Sequence, residues 1–238
     1  MSENIKKPSY KEIGKHFTNF DTYSKVLKEN YMFHKNMSER LTNFLKKRFP
    51  NKPFDFLDVG CGDASYISKV LTDTKINSYT ALEVSPETIE KAKQNLDKVN
   101  CSKSFITHDA STKFPELDKQ FDVIWSSYAL HHFNQKEKES FFEQCLSHLK
   151  RSGFLIIVDL INNDYPNREE CITNLQKYWE DNWTNLNQND LNFLVEHVRS
   201  SDYPETVDKL FEIAKHAGFK DSDLDSKIDH YAFMIFRG

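Results

Sequence analysis

The chain has 238 residues, 38% hydrophobic and 29% charged, a balance that fits one soluble globular unit large enough to bury its own core. Its longest strongly apolar run, FLIIVDLI at 154–161, is too short to span a bilayer, and MSENIKKPSYK has no apolar segment behind it, so no membrane partner or secretory signal is expected and the cytoplasm is the expected compartment. A net charge of −4 and a pI near 6.1 weigh against a nucleic-acid partner, although residues 1–50 hold eleven Lys/Arg against five Asp/Glu, enough to steer an anionic substrate or to pack on an acidic body.

In chain order, residues 10–48 read as two polar helices, interrupted near Asn19-Phe20-Asp21 and stopped at Phe49-Pro50, because the residue before proline is pushed out of the helical region. An alternation of strands and helices follows. Phe54–Val59 reads as a strand, Ala64–Leu71 as a helix, Tyr79–Val84 as a strand, and Pro86–Val99 as a helix with Ser85 as N-cap. Lys103–His108 and Phe121–Ser126 read as strands and Gln135–Leu149 as an amphipathic helix, after which Ser152-Gly153 is expected to turn into the apolar strand Phe154–Leu160. This rhythm predicts an α/β fold around a parallel sheet covered on both faces. Residues 161–203 are polar, helix-like and aromatic, and read as an insertion. Glu205–Ala217 is expected to be a helix closed by Gly218, followed by strands near Phe219–Leu224 and His230–Phe236.

The cysteines Cys61, Cys101, Cys145 and Cys171 are scattered, with no CxxC pair and no histidine at ligand spacing, so neither a disulfide nor a metal site is expected. The glycines of Asp58-Val59-Gly60-Cys61-Gly62-Asp63-Ala64 stand at the end of the first strand, where ligands of open α/β sheets bind. There is no Gly-Lys-Ser/Thr, which excludes a phosphate-cradling P-loop. Glu83 ends the next strand about twenty residues on, where a carboxylate meets ribose hydroxyls, so the pair points to a nucleoside cofactor.

FLDVGCGDAS, ALEVS, THDAS, FDVIWSSYALHHF and LKRSGFLIIVD, in that order, make residues 54–160 resemble the class I S-adenosylmethionine-dependent methyltransferases. The resemblance implies a three-layer Rossmann-like, doubly wound sheet of seven strands, the last antiparallel, in a single domain. Within it, residues 1–50 would be a helical cap, 51–160 the cofactor core, 161–203 a helical lid and 204–238 the terminal helix and strands. It also implies that Asp58, Gly60 and Gly62 hold the methionine end of S-adenosylmethionine, with Cys61 and Asp63 of the same turn among the cofactor contacts, that Glu83 holds the ribose, and that Asp109 with Ala110 meets the adenine edge and Val84 packs on its face. Ser126 would lie beside the sulfonium. Ala64 replaces the third glycine of the family's turn, and Asp63 adds a second carboxylate near a cationic ligand.

Such a cofactor carries its own activated methyl group, so the protein's task is alignment, exclusion of water and, where the acceptor must lose a proton, a base. His131 and His132, with Tyr128 and Tyr23, are the candidates for catalysis; a histidine of such a pair equally serves as a structural residue bonding backbone. Tyr31, His34, Trp179, Trp183 and Arg199, with Arg168 and His197 nearby, are the candidates for acceptor contact, against plain helix packing. The expected activity is methyl transfer to a small molecule by a monomer or homodimer, leaving S-adenosylhomocysteine as product. A protein or tRNA acceptor, or a non-catalytic cofactor-binding module, are the alternatives.

Overall fold

A computed structural model describes residues 20–238; the helix expected over 10–18 lies outside them. Helix α1 spans Phe20–Lys28 and α2 His34–Arg48. The break expected near Asn19-Phe20-Asp21 lies at the edge of the described residues, where Phe20 and Asp21 are already helical; a break at 29–33 separates these two helices. Asn30 and Phe33 there take left-handed φ values of 58° and 59°, and the Asn30 side chain bonds Asn36 and the Lys35 amide, both at 2.9 Å.

The strands are β1 Phe54–Val59, β2 Ile76–Glu83, β3 Ser102–Thr107, β4 Phe121–Ser127, β5 Leu149–Leu160, β6 Asp221–Ile228 and β7 Tyr231–Arg237. They form one seven-stranded sheet in the order β3-β2-β1-β4-β5-β7-β6. Pairings from β3 to β5 are parallel, and β7 runs antiparallel to both β5 and β6, as the resemblance implies. Strand order reverses between β1 and β4, so the crevice beyond their carboxyl ends is the natural ligand site.

The helices between and after the strands are α3 Ile67–Thr72, α4 Pro86–Asn95, α5 Gln135–His148, α6 Arg168–Asn182, α7 Gln188–Ser201 and α8 Val207–Ala217. Ser85 caps α4 by accepting from the Thr88 amide at 3.2 Å, and Gly218 closes α8 in the left-handed region. Helix α3 starts three residues later than expected, because Ala64 holds φ 56° and 64–66 belong to the turn. Strand β5 reaches back to Leu149, which pairs with Phe121 across an irregular register, so Ser152-Gly153 lies inside the strand and not in a turn before it.

Side-chain alternation puts the two halves of each central strand into two cores. Phe54 and Phe56 of β1, Val123 and Trp125 of β4, and Phe154, Ile156 and Val158 of β5 pack on one face with α2, α6 and α7. Leu57, Val59, Ile124, Leu155 and Ile157 pack on the other with α5 and α8. The row Leu155, Ile157, Asp159, Ile161 belongs to this second face, so Asp159 is a buried carboxylate set among hydrocarbons. Strand β6 is the outer edge, mostly exposed and carrying Asp221, Asp223 and Asp225, charges that discourage further strand pairing.

Candidate active site

A cavity of about 410 Å³ opens at the carboxyl ends of β1, β2 and β4, a size ordinary for a small-molecule site. One half is built by the loop after β1. Gly60 and Cys61 amides donate to the Leu82 carbonyl at 2.8 and 3.2 Å, tying the loop to β2. Gly60 has φ 76° and Gly62 φ 53°, conformations that L side chains rarely adopt. A Cβ on Gly60 would stand 3.0 Å from Ala129 Cβ, whereas one on Gly62 meets no protein atom within 4 Å and would project into open space.

Asp58, at the end of β1, is 1% exposed. Its Oδ2 accepts from the Tyr79 hydroxyl at 2.6 Å, and its Oδ1 is buried with no hydrogen-bond partner. Burial, against the Tyr79 hydrogen bond, pushes its carboxyl up to about 7. An orphaned carboxylate oxygen facing a cavity calls for a cationic donor. Glu83 accepts from the Gly62 amide at 3.1 Å and the Ser85 amide at 3.0 Å, which aims its carboxylate into the same half; burial raises it despite these bonds. Asp63 folds back on the Ser65 amide at 3.0 Å and Asp109 on the Ser111 amide at 3.0 Å. Both line the cavity, as do Cys61, Val84 and Ala110.

The other half holds a histidine and carboxylate cluster. The His131 amide donates to Asp159 Oδ2 at 2.8 Å, and His131 Nδ1 bonds Asp159 Oδ1, which also accepts from the Leu160 amide at 2.8 Å. His131 Nε2 stands 3.6 Å from Asp202 Oδ2, His132 Nδ1 2.9 Å from Asp202 Oδ1, and His197 Nε2 3.8 Å from the same oxygen. Burial works against a charge on His131, but Asp159 and Asp202 outweigh it and raise its pKa. Burial likewise opposes the Asp202 charge, and His131 and His132 reverse that, holding it below the carboxylate range. Asp202 follows α7, where its carbonyl accepts from Arg168 Nε at 2.6 Å.

Helices α1, α2, α6 and α7 supply the remaining wall. Trp179 and Trp183 line the cavity and stack on each other at 4.9 Å. Tyr31 does not line it; it stacks behind Trp183 at 5.0 Å and accepts from the Asn185 amide at 2.9 Å. His34 does, with its ring 4.3 Å from that of Tyr128, and burial lowers it to about 4, so it is neutral near pH 7. Tyr23 and Tyr128 also reach the cavity. Burial raises both phenols, and Tyr128 donates to the Met32 carbonyl at 2.5 Å, so neither is placed to act as a base near neutral pH.

Besides Tyr31, two expected positions lie away from the cavity. Ser126 is separated from the cavity: its Oγ donates to the Val59 carbonyl at 3.0 Å, and its strand neighbours Trp125 and Ser127 face the opening instead. Arg199 is also away from it, paired with Glu169 on the outer side of α6 and α7, and Arg168 is occupied with the Val198, Arg199 and Asp202 carbonyls. Asp159 and Asp202 were not singled out by the sequence reading. The signal for Asp159 was present, a lone charge inside FLIIVDLI; Asp202 carried none, being one acid among many in a polar segment.

Residues 56–153 match the family of methyltransferase domains. Malonyl-(acyl-carrier protein) O-methyltransferase 1 of Ilyobacter polytropus is 24% identical over 196 residues, 82% of this chain and 66% of that protein, so the chain spans just under two thirds of that curated relative. Among solved structures, the plantazolicin methyltransferase BpumL, in complex with a triazolic desmethylPZN analog and S-adenosylhomocysteine (SAH), superposes with a TM-score of 0.64 at 15% identity and 95% coverage of both chains. The DhpI complex with SAH gives 0.59 at 16% identity, covering 97% of this chain and 98% of that one. Residues 56–153 thus match a methyltransferase domain, and the chain as a whole shares the fold of solved structures bound to S-adenosylhomocysteine.

Proposed function

We propose that this chain transfers the methyl group of S-adenosylmethionine to a small-molecule acceptor, held between the cofactor and the histidine cluster. The observation that carries this is one cavity with two unlike ends: Asp58 with its orphaned Oδ1 beside the open space at Gly62, and the His131–Asp159–Asp202 cluster opposite. The cofactor, when bound, supplies a methyl on a cationic sulfur. Asp58 would accept the cofactor's ammonium group, a pairing that compensates the cost of its burial. The Gly60–Asp63 loop would hold the methionine end, Glu83 the ribose hydroxyls, and Asp109 with Ala110 the adenine edge, with Val84 on the adenine face.

On the acceptor side, the histidine cluster takes up the acceptor's proton, and Asp159 fixes the His131 ring for that task. Helices α1, α6 and α7 would act as a lid, with Trp179 and Trp183 excluding water from the reacting centre; their place in the cavity wall supports this. The plantazolicin methyltransferase BpumL is solved in complex with a triazolic desmethylPZN analog, and the cavity of this chain is of small-molecule size. Calorimetric titration with S-adenosylmethionine tests the cofactor half: the wild type is expected to bind, and Gly60→Val combined with Glu83→Ala to abolish binding. Undiminished affinity in the double variant would overturn the assignment.

A further inference from the structure

We infer that His131, His132 and Asp202 form a binding site for one divalent transition ion, such as zinc, on the acceptor wall of the cavity. The site stands on geometry alone; only its use, to seat an acceptor oxygen or nitrogen, rests on the methyl-transfer reading. Each of the three residues offers a ligand atom, and these atoms lie within 4.8 Å of one another. At metal–ligand distances of about 2.0–2.1 Å, donors of a four-coordinate site stand about 3.3 Å apart. The separations here are 3.6 Å for His131 Nε2 to Asp202 Oδ2 and 2.9 Å for His132 Nδ1 to the other oxygen, Oδ1, a hydrogen-bond length without an ion; both are near the separation of two ligands on one ion, with the carboxylate turned toward both rings. The first is too long for a direct hydrogen bond but suits two ligands of one ion.

The surroundings of His131 are those of a metal ligand. Its Nδ1 is engaged by Asp159, which fixes the ring and, with Nδ1 as the donor, leaves the Nε2 lone pair directed at Asp202. Asp159 is itself held by the His131 and Leu160 amides, both at 2.8 Å, so the supporting carboxylate is rigid. His197 Nε2, 3.8 Å from Asp202 Oδ1, is placed to approach as a further ligand. Two imidazoles and a carboxylate suit zinc or iron(II), and three protein ligands leave a coordination position open. All four side chains line the cavity, so that position faces the space an acceptor would occupy. An acceptor hydroxyl or amine bound there would release its proton to water more readily; His131 and His132 would then be ligands, and the proton uptake proposed for them above would apply to the ion-free protein.

The test uses full-length protein without a histidine tag, stripped with chelator and dialysed. It is titrated with cobalt(II) while the visible absorption of the ion is followed, then with zinc in competition. The wild type is expected to bind one ion per chain with a ligand-field band, displaced by zinc. His132→Gln and Asp202→Asn are expected to weaken binding about tenfold or more, and Asp159→Asn by about tenfold, whereas the exposed His216→Gln leaves it unchanged. No band in the wild type, or undiminished binding by Asp202→Asn, overturns the ion site, and the wild-type result holds however the variants fold. S-adenosylmethionine titration of the same samples separates the two readings. Protein that binds the cofactor but no ion removes the ion site alone, and protein that binds the ion but no cofactor removes the methyl-transfer reading while supporting the ion site.

Discussion

With Asp58 paired to the cofactor's ammonium group as proposed, lowering the pH from 8 to 6 is expected to weaken S-adenosylmethionine binding about fourfold: ionised Asp58 falls about tenfold, while the protonated form of the cofactor's amine, with a pKa of about 7.8, rises about 2.5-fold. In the ligand-free protein, burial pushes this carboxyl up to about 7. About nine molecules in ten are then ionised at pH 8 and about one in ten at pH 6, and the missing fraction is a cost of about 1.4 kcal/mol at the lower pH. Calorimetry at both pH values, each in two buffers of different ionisation enthalpy, reads the affinity and the protons released. Close to one proton should leave on binding at pH 6, whereas at pH 8 about half a proton should be taken up by the cofactor's amine. Asp58→Asn should bind more weakly and lose the release at pH 6. The same linkage sets the sign for stability. The unfolded chain ionises Asp58 near its usual value of 3.8, below the folded one, so this group destabilises the ligand-free fold increasingly as pH rises from about 4 to about 7. Asp58→Asn should therefore raise the ligand-free Tm at pH 8 while weakening cofactor binding. An affinity equal at pH 6 and pH 8 with no proton release, or a ligand-free Tm lowered by the variant, would refute the reasoning.

Gly60→Val places a branched side chain at φ 76° against Ala129, and is expected to cut cofactor affinity by about tenfold or more, read by calorimetry. Trp183→Ala removes the ring between Tyr31 and Trp179 and should raise the acceptor KM with little change in cofactor Kd; equal losses in both would place the ring elsewhere in the reaction. Arg168→Ala uncaps the end of α7 and the Asp202 carbonyl, with an expected loss of about 2 kcal/mol in denaturant unfolding.

The half of the cavity proposed for the cofactor was legible because its residues lie in short consecutive stretches at strand ends. FLDVGCGDAS and ALEVS bring Asp58, Gly62 and Glu83 together through the adjacency of β1 and β2 alone. Ser126 was misplaced by one position, and in a strand one position is the difference between facing the opening and facing the Val59 carbonyl. The histidine cluster was half legible: SYALHHF marks the two imidazoles, but Asp202 reaches them from beyond α7, a pairing made by tertiary packing and invisible to spacing. The same holds for the break at 29–33. Phe33 keeps its left-handed conformation while its ring packs 6.0 Å from that of Tyr231, a contact between the two ends of the described chain. Arg199 drew attention by charge and position, yet its partner is Glu169 on the neighbouring helix, an ordinary surface pair.

The central claim is tested most directly by incubating the protein with methyl-labelled S-adenosylmethionine and a metabolite extract, and following label and S-adenosylhomocysteine by mass spectrometry. The account predicts stoichiometric appearance of S-adenosylhomocysteine and of a labelled small molecule, both lost with Gly60→Val. Cofactor bound but never consumed across extracts, or label found only in macromolecules, would contradict it.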